Sequence, residues 1–437
     1  MYNDIIKLLN LDQFNLKILK ADTIKKDNKL FCYITLKCDE LTTCPFCGGA
    51  ELTIKDYRKK KIKHSISTNI PCYIIYNARR YKCKYCNNCF YEKNPFALKN
   101  EKESIYTICI VLKQLLSHTN TFTDVARNLF LSVTTVIKIF DTYVECKRSS
   151  LPKILSFDEF YRGKKTSNKY AFVMADFIKN KIVDVFYSRH KDKLDAYFCK
   201  IPQRERDSVE YITMDMWDTY RDLAKLRFKN AKIAVDSFHV IEHLNDAIKS
   251  IRLRIMNKFN KKTKSLHAND MYYYMLKKFH YFFVKDFNSI YNGKIRINKL
   301  KTKWDKHEIR KYLLSIDDDL KYAYILKERY WEFNLTASYD NCDEELNDLI
   351  EEFRNSHLEE YRLFGKLLNR WKEYIKNSFI RVNGRRLSNG PMEGINSRIK
   401  TILKSANGIK MFFRLRNRII YSINKDVPIK SFNKEIK

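Results

Sequence analysis

The stretch Leu151-Pro-Lys-Ile-Leu-Ser-Phe-Asp158-Glu-Phe160 decides the fold: an apolar run that ends on an acid. Residues of strand-forming type lead into Asp158, which predicts a buried β-strand carrying a carboxylate at its end. Two more strands follow, over Tyr170–Asp176 and Ile182–Tyr187, around an Ile-Lys-Asn-Lys turn. Together they make a three-stranded meander. Val209–Met214 is a further strand and runs straight into Asp215. The helix after it places Met216, Tyr220, Leu223 and Ala224 on one face. A short strand, Ile233–Val235, then enters Asp236-Ser-Phe-His239.

Three antiparallel strands followed by strand, helix and strand is the order of an RNase H-like fold. In that order Asp158 and Asp215 lie on neighbouring central strands. Two carboxylates held side by side repel each other unless a cation sits between them. Such a pair suits a two-metal site for phosphoryl transfer, in which the ions stabilise the attacking and leaving oxygens. Mg²⁺ is the expected ion, with Mn²⁺ as its substitute, because both prefer oxygen ligands. Glu159 and Asp176 are alternatives to the first acid, and Asp218 to the second.

A third acid comes from Asn389-Gly-Pro391-Met-Glu393-Gly-Ile-Asn396-Ser-Arg398-Ile-Lys400. Pro391 fits the first turn of a helix. Helical spacing puts Ile395, Ile399, Ile402 and Leu403 on one face, and Glu393, Asn396, Ser397 and Lys400 on the other. Glu393 can then hold metal while Arg398 and Lys400 touch phosphate.

Upstream, Cys44-Pro-Phe-Cys47-Gly-Gly and Cys83-Lys-Tyr-Cys86 form two Cys-x-x-Cys knuckles across a strand-forming segment. That spacing reads as a four-thiolate Zn²⁺ ribbon, structural because it leaves the metal no open position. Cys89 and His64 are the alternative ligands. Eight of the 12 cysteines precede residue 90, a clustering that fits metal binding in a cytosolic chain rather than secreted disulfides. Arg58–Lys63, Arg79 and Arg80 flank the knuckles and suit DNA backbone contacts.

Between ribbon and core, residues 123–129 and 132–137 have the rhythm of a helix-turn-helix. Ala126 is small where the helices cross, and Ser132 caps the second helix. Thr134, Thr135 and Lys138 are the residues that would face a DNA groove. Phe130 stands where a turn glycine is usual.

The chain carries 84 Lys+Arg against 51 Asp+Glu, a net charge of +33, along its whole length. Nucleic acid is the natural partner of such a polycation. A Lys-, Asn-, Ile- and Tyr-heavy composition also reflects AT-rich coding, so charge supports this partner without proving it. No run approaches a membrane span and the start MYNDIIKLLN lacks a signal pattern, so the expected location is the cytoplasm, associated with the nucleoid. With 9 Gly and 7 Pro and no repeat, long flexible linkers are not expected.

Ser-Phe-Asp158-Glu, Met-Asp215-Met-Trp-x-x-Tyr220, Ala231-Lys-Ile-Ala-Val-Asp236-Ser-Phe-His239 and Asn389-Gly-x-x-Glu393-Gly-x-Asn396 together resemble the insertion-sequence transposases of the ISL3 family. The likeness runs from about Cys44 to Tyr421. It implies a DDE triad of Asp158, Asp215 and Glu393, with Asp236 and His239 as an accessory pair that orients the site, and Asn396 beside Glu393. It also implies binding of double-stranded DNA, at terminal inverted repeats and target, by a homodimer or larger assembly.

The expected architecture is multidomain α+β. A zinc ribbon occupies 1–100 and a helix-turn-helix 101–150. An RNase H-like core spans 151–240 and resumes at 385–437, interrupted by an all-helical insertion over 241–384. In that insertion Trp331 is the candidate to stack on an extruded base. The alternative function is a zinc-ribbon/helix-turn-helix regulator, or a degenerate transposase, that binds DNA without cutting it.

Overall fold

The computed structural model describes residues 7, 9, 11, 14–38, 42–65, 70–98, 101–163, 168–260, 269–285, 293–405 and 409–431. The chain divides into two compact units. One comprises Met1–Arg148 with Asn396–Lys437, the other Ser149–Ile395. The 385–437 segment is therefore shared between them.

In the first unit, strands β1 (Leu16–Lys26) and β2 (Lys29–Cys38) form a hairpin. Its turn residues Asp27 and Asn28 have φ of 49° and 59°, the left-handed conformation that Asp and Asn tolerate best. β3 (Leu52–Lys63) and β4 (Cys72–Cys83) make a second antiparallel pair, and β5 (Cys89–Tyr91) adds to β4. The sheet runs β1-β2-β4-β3, with β2 and β4 parallel. Period-two alternation sends Ile34, Leu36, Ile74, Tyr76 and Ala78 inward to a core completed by Leu9, Leu11, Ile62 and Phe96.

Helix α1 (Ile105–Gln114) precedes the pair α2 (Phe122–Asn128) and α3 (Val133–Tyr143). Thr121 and Asp124 form a capping box at the start of α2, and Ser132 accepts from the Thr135 amide at the start of α3. Both devices satisfy amides that a helix start leaves unpaired.

The second unit is built on a five-stranded sheet. β6 (Ile154–Tyr161), β7 (Tyr170–Asp176) and β8 (Lys181–Phe186) are antiparallel, while β9 (Tyr211–Met214) and β10 (Lys232–Val235) run parallel to β6. The order is β10-β9-β6-β7-β8. Helices α4 (Lys191–Cys199) and α5 (Gln203–Asp207) link β8 to β9, and α6 (Asp218–Arg227) links β9 to β10. Phe157 points into the core, edge-on to Phe172 and stacked on Phe198. Full burial of such a ring contributes roughly 2–3 kcal/mol.

From β10 the chain enters α7 (Ser237–Lys258), whose buried stripe Val240, Leu244, Ile248, Ile251, Ile255 follows helical spacing. Helices α8 (Asp270–Lys278), α9 (Lys306–Leu314), α10 (Asp318–Thr336), α11 (Cys342–Arg354) and α12 (Glu359–Asn377) follow. They share one apolar core with the sheet. The expected all-helical segment 241–384 is not wholly helical: a short hairpin, β11 (Lys294–Ile297) with β12 (Thr302–Asp305), lies among these helices, where the β-branched Ile295, Ile297 and Thr302 favour extended backbone.

Two features return the chain to the sheet. Asn377, the last residue of α12, donates to the Ile233 carbonyl of β10 at 2.9 Å. The hairpin β13 (Arg381–Val382) and β14 (Arg385–Arg386) then turns through Asn383 and Gly384, at φ of 51° and 77°. An Asn-Gly pair is the preferred chemistry for such a tight turn. Helix α13 (Gly390–Ser405) follows. Helix α14 (Phe412–Asn424) belongs to the first unit, where buried Arg418 donates to the carbonyls of Leu115, Ser117 and Asn120. Among the described residues, no helix is long and apolar enough to cross a membrane.

Candidate active site and metal centre

The β6–β9 register decides where the acids lie. Parallel pairing matches Ile154 to Tyr211, Leu155 to Ile212 and Ser156 to Thr213, and β9 ends one residue later. Two steps beyond Ser156 and Thr213 stand Asp158 and Asp215. Period-two alternation keeps all four side chains on one face of the sheet. Ser156 and Thr213 touch through their hydroxyls at 2.8 Å. The expectation that Asp158 ends its strand needs amending: β6 continues to Tyr161, paired with β7 alone. It is the neighbouring strand that stops, at Met214, so that Asp158 lies beyond the β6–β9 pairing.

Electrostatics fit this closeness. The Asp158 carboxyl is pushed up to about 7, first by burial and next by the negative charge of Asp215. His239, in the first turn of α7, sets Nε2 3.1 Å from Oδ1 of Asp215. That hydrogen bond carries the imidazole up to about 9 against its own partial burial. Asp236 is the N-cap of α7, accepting from the Phe238 amide. Its other oxygen accepts from the Asn389 amide at 2.9 Å.

The alternative acids are engaged elsewhere. Glu159 accepts from Arg189 and from the Tyr220 hydroxyl, each at 2.7 Å. Asp176 accepts from the Ile178 and Lys179 amides in the β7–β8 turn. Asp218 opens α6 and pairs with Arg221 and Arg370.

Glu393 is exposed in the first turn of α13, with Ile395, Ile399 and Ile402 buried on the opposite side. Among the described residues, only the cysteines form a group of three or more potential ligands within 4.8 Å of one another. Asp158, Asp215 and Glu393 do not. Asn396, Arg398 and Lys400 follow on α13, the two cations exposed.

Asn389, in sequence only one member of the Asn-Gly motif, stands at the centre of the candidate site. Buried to 3% exposure, it donates to Asp215 Oδ1 at 2.9 Å and to the Phe157 carbonyl at 3.0 Å. Its own oxygen accepts from the Thr213 hydroxyl at 3.3 Å. The available signal was its place in an Asn-Gly pair before a helix, which reads equally well as turn chemistry. Trp331 is partly buried against the helical core, with its indole nitrogen enclosed.

The metal centre of the first unit is compact. Cys44, Cys47, Cys83 and Cys86 bring their sulfurs within 4.8 Å of one another. Gly48 takes φ +73° in the first knuckle, and a Cβ on Gly49 would lie 2.4 Å from the Tyr85 ring. Four thiolates at this spacing fit tetrahedral Zn²⁺. Cys89 is instead in β5, paired with Lys82. His64 is enclosed, its ring nitrogens bonded to Ser104 and the Leu9 carbonyl. Neither alternative belongs to the cluster.

The expected DNA-facing residues differ in how free they are. Arg79 is held by Glu92 at 2.7 Å and Arg80 pairs with Asp56 at 3.3 Å. Thr134 and Thr135 each meet the Ser132 hydroxyl at 2.8 Å, and exposed Lys138 reaches Glu101 at 3.2 Å.

A family model described as a transposase, of the ISL3 type, matches residues 155–419. A second, described as the zinc-finger of transposase IS204/IS1001/IS1096/IS1165, matches residues 40–86. A search of curated proteins returns no match.

Proposed function

The chain belongs to the ISL3 family of transposases and carries that family's zinc ribbon; from this premise we propose that Asp158, Asp215 and Glu393 are its catalytic acids. The observation that carries the proposal is the β6–β9 register, which sets Asp158 beside Asp215 where β9 ends. Burial and mutual repulsion there raise Asp158, and a divalent cation is the partner that would relieve both effects. The oxygen donor set fits Mg²⁺, or Mn²⁺ in its place. When bound, two such ions supply charge stabilisation at the attacking and leaving oxygens of phosphoryl transfer.

The chain's own residues do the rest. Asp158 and Asp215 present hard oxygen ligands from a rigid sheet. Glu393 brings the third carboxylate from the exposed first turn of α13. His239, charged through its bond to Asp215, orients that carboxylate, and Asp236 anchors the start of α7 beside it. The exposed Arg398 and Lys400 lie along α13 for phosphate contacts.

The sheet of the second unit is an RNase H-like core, and residues 241–384 are a mainly helical insertion, broken by the β11–β12 hairpin, between the second and third acids. Residues 1–100 and 101–150 act as the ribbon and helix-turn-helix that grip the terminal inverted repeats. Arg80, Thr134, Thr135 and Lys138 face the duplex, with Arg79 supporting the sheet from its pairing with Glu92. Cleavage then frees a 3′-OH that is joined to target DNA, in a homodimer or larger complex at the nucleoid.

The test is Mg²⁺-dependent cleavage of labelled DNA bearing the element's ends, comparing wild type with Asp158→Asn, Asp215→Asn and Glu393→Gln. Each substitution should abolish cutting and leave end binding intact. If wild type binds the ends and never cuts, the protein is a DNA-binding regulator. If Glu393→Gln cuts like wild type, the assignment of the third acid fails.

A further inference from the structure

The buried Asn389 amide sits at the crossing of every element in the candidate site. Its NH₂ group has two hydrogens, and both are used. One goes to the carbonyl of Phe157, the residue before Asp158, and the other to Oδ1 of Asp215. Its carbonyl oxygen accepts from Thr213, which is in turn bonded to Ser156. Its backbone amide donates to Asp236. Four residues later, one helical turn on, comes Glu393.

We infer that Asn389 is a positioning residue, a clip that fixes the orientation of Asp215 and registers the Glu393 helix against both acid-bearing strands. The inference rests on the proposed catalytic reading. Its chemistry follows from the donor inventory of an amide. A carboxylate at this position would offer no donor to the Phe157 carbonyl or Asp215, and an apolar residue would leave both unbonded. Ser156 and Thr213 also decide which end of the amide points where. With a hydroxyl donating to Oδ1, the NH₂ end is turned towards Asp215, so that carboxylate is held in one rotamer. Supporting bonds of this kind tune the metal affinity of the ligands they orient.

The experiment measures Mn²⁺ binding to the full-length, zinc-loaded protein by loss of the free Mn²⁺ electron paramagnetic resonance signal. Cleavage is titrated with Mn²⁺ in parallel. Asn389→Ala should weaken Mn²⁺ binding about 10-fold or more, the range found when groups supporting metal ligands are removed. Much of the cleavage rate should return at saturating metal, and end binding should not change. Thr213→Val should give a smaller loss in the same direction, and Thr213→Ser should restore wild-type affinity. Since Thr213 acts through the amide, Asn389→Ala with Thr213→Val should bind Mn²⁺ no worse than Asn389→Ala alone.

Wild-type Mn²⁺ affinity in Asn389→Ala overturns the inference, as do losses that multiply in the double variant. Should Asn389→Ala fail to fold, the contrast between Thr213→Val and Thr213→Ser still decides it, because equal affinities in those two would sink the clip. A wild-type protein that neither cuts nor binds Mn²⁺ through Asp158 overturns the catalytic reading itself, a different outcome from an intact enzyme indifferent to Asn389.

Discussion

The sulfurs of Cys44 and Cys86 stand 3.5 Å apart although 42 residues separate them in sequence. Cys47 and Cys83 meet in the same way at 3.6 Å. The first pair of cysteines precedes β3 and the second closes β4, so the cluster pins both ends of that hairpin. Four thiols this close repel as they ionise, and a Zn²⁺ ion removes the repulsion. One zinc per chain is expected by elemental analysis, falling to near zero in Cys83→Ser. Chelation should open the 44–86 segment to proteolysis and release bound DNA, because folding and metal binding are coupled in such small sites. Full zinc content in Cys83→Ser would refute a four-cysteine centre.

His64 predicts an acid-sensitive contribution to stability. Burial, against the favourable bond to the Leu9 carbonyl, lowers its folded pKa from 6.5 to about 4. Between those values the unfolded chain binds a proton that the folded chain refuses. The stabilisation is therefore complete above pH 6.5, falls as pH drops towards 4, and then levels off. By linkage the loss amounts to roughly 3 kcal/mol across the window. Urea unfolding of wild type and His64→Gln at pH 7.5, 6, 5 and 4.5 checks this. The variant should be weaker at pH 7.5 and lose less on acidification. Parallel pH curves for the two proteins would show that His64 is not the group responsible.

Phe130 occupies the turn between α2 and α3 at φ +53° and is 42% exposed. A bulky residue in the left-handed region costs roughly 1–2 kcal/mol, and the visible compensation is a contact between the ring and the Lys63 ammonium at 5.6 Å. Glycine removes the strain and increases unfolded-state freedom, two effects of opposite sign. The expected net gain for Phe130→Gly is about 0.5–1 kcal/mol, read from thermal or urea unfolding. A loss greater than 1 kcal/mol would mean that the ring contact outweighs the strain.

These cases show what a sequence can and cannot reveal. The five strands of the second unit were legible because each is a short apolar run closed by turn residues or an acid. The zinc knuckles were legible because their spacing is fixed by metal geometry. Ser132 could be read as a cap because capping is local. Asn389 could not be placed, since its partners Phe157 and Asp215 are 232 and 174 residues away and a lone amide has no periodicity. Arg418 was hidden for the same reason: a guanidinium that satisfies carbonyls at Leu115, Ser117 and Asn120 looks, in sequence, like one more surface cation. The parallel pairing of β2 with β4 was equally out of reach, because strand neighbours across a loop leave no local trace.

The mainly helical block between the second and third proposed acids gives the last prediction. Gly365 lies where α12 crosses the end of α11, and a Cβ there would come within 2.7 Å of the Arg354 backbone nitrogen and 3.0 Å of the Phe353 carbonyl carbon. Those are backbone atoms, so the helices themselves would have to move. Overpacking of this kind costs about 1–3 kcal/mol. The consequence should reach the proposed active site along the chain. α12 ends at Asn377, which is bonded to β10, and the following hairpin delivers Asn389 and Glu393. Gly365→Ala should therefore lower the unfolding midpoint of the second unit. Cleavage should fall at temperatures where that unit is partly melted, while end binding by the first unit persists. At temperatures where the variant is fully folded, its cleavage rate should approach that of wild type. An unchanged unfolding midpoint would show that the helices yield freely at Gly365, and that the block is less tightly packed than its geometry requires.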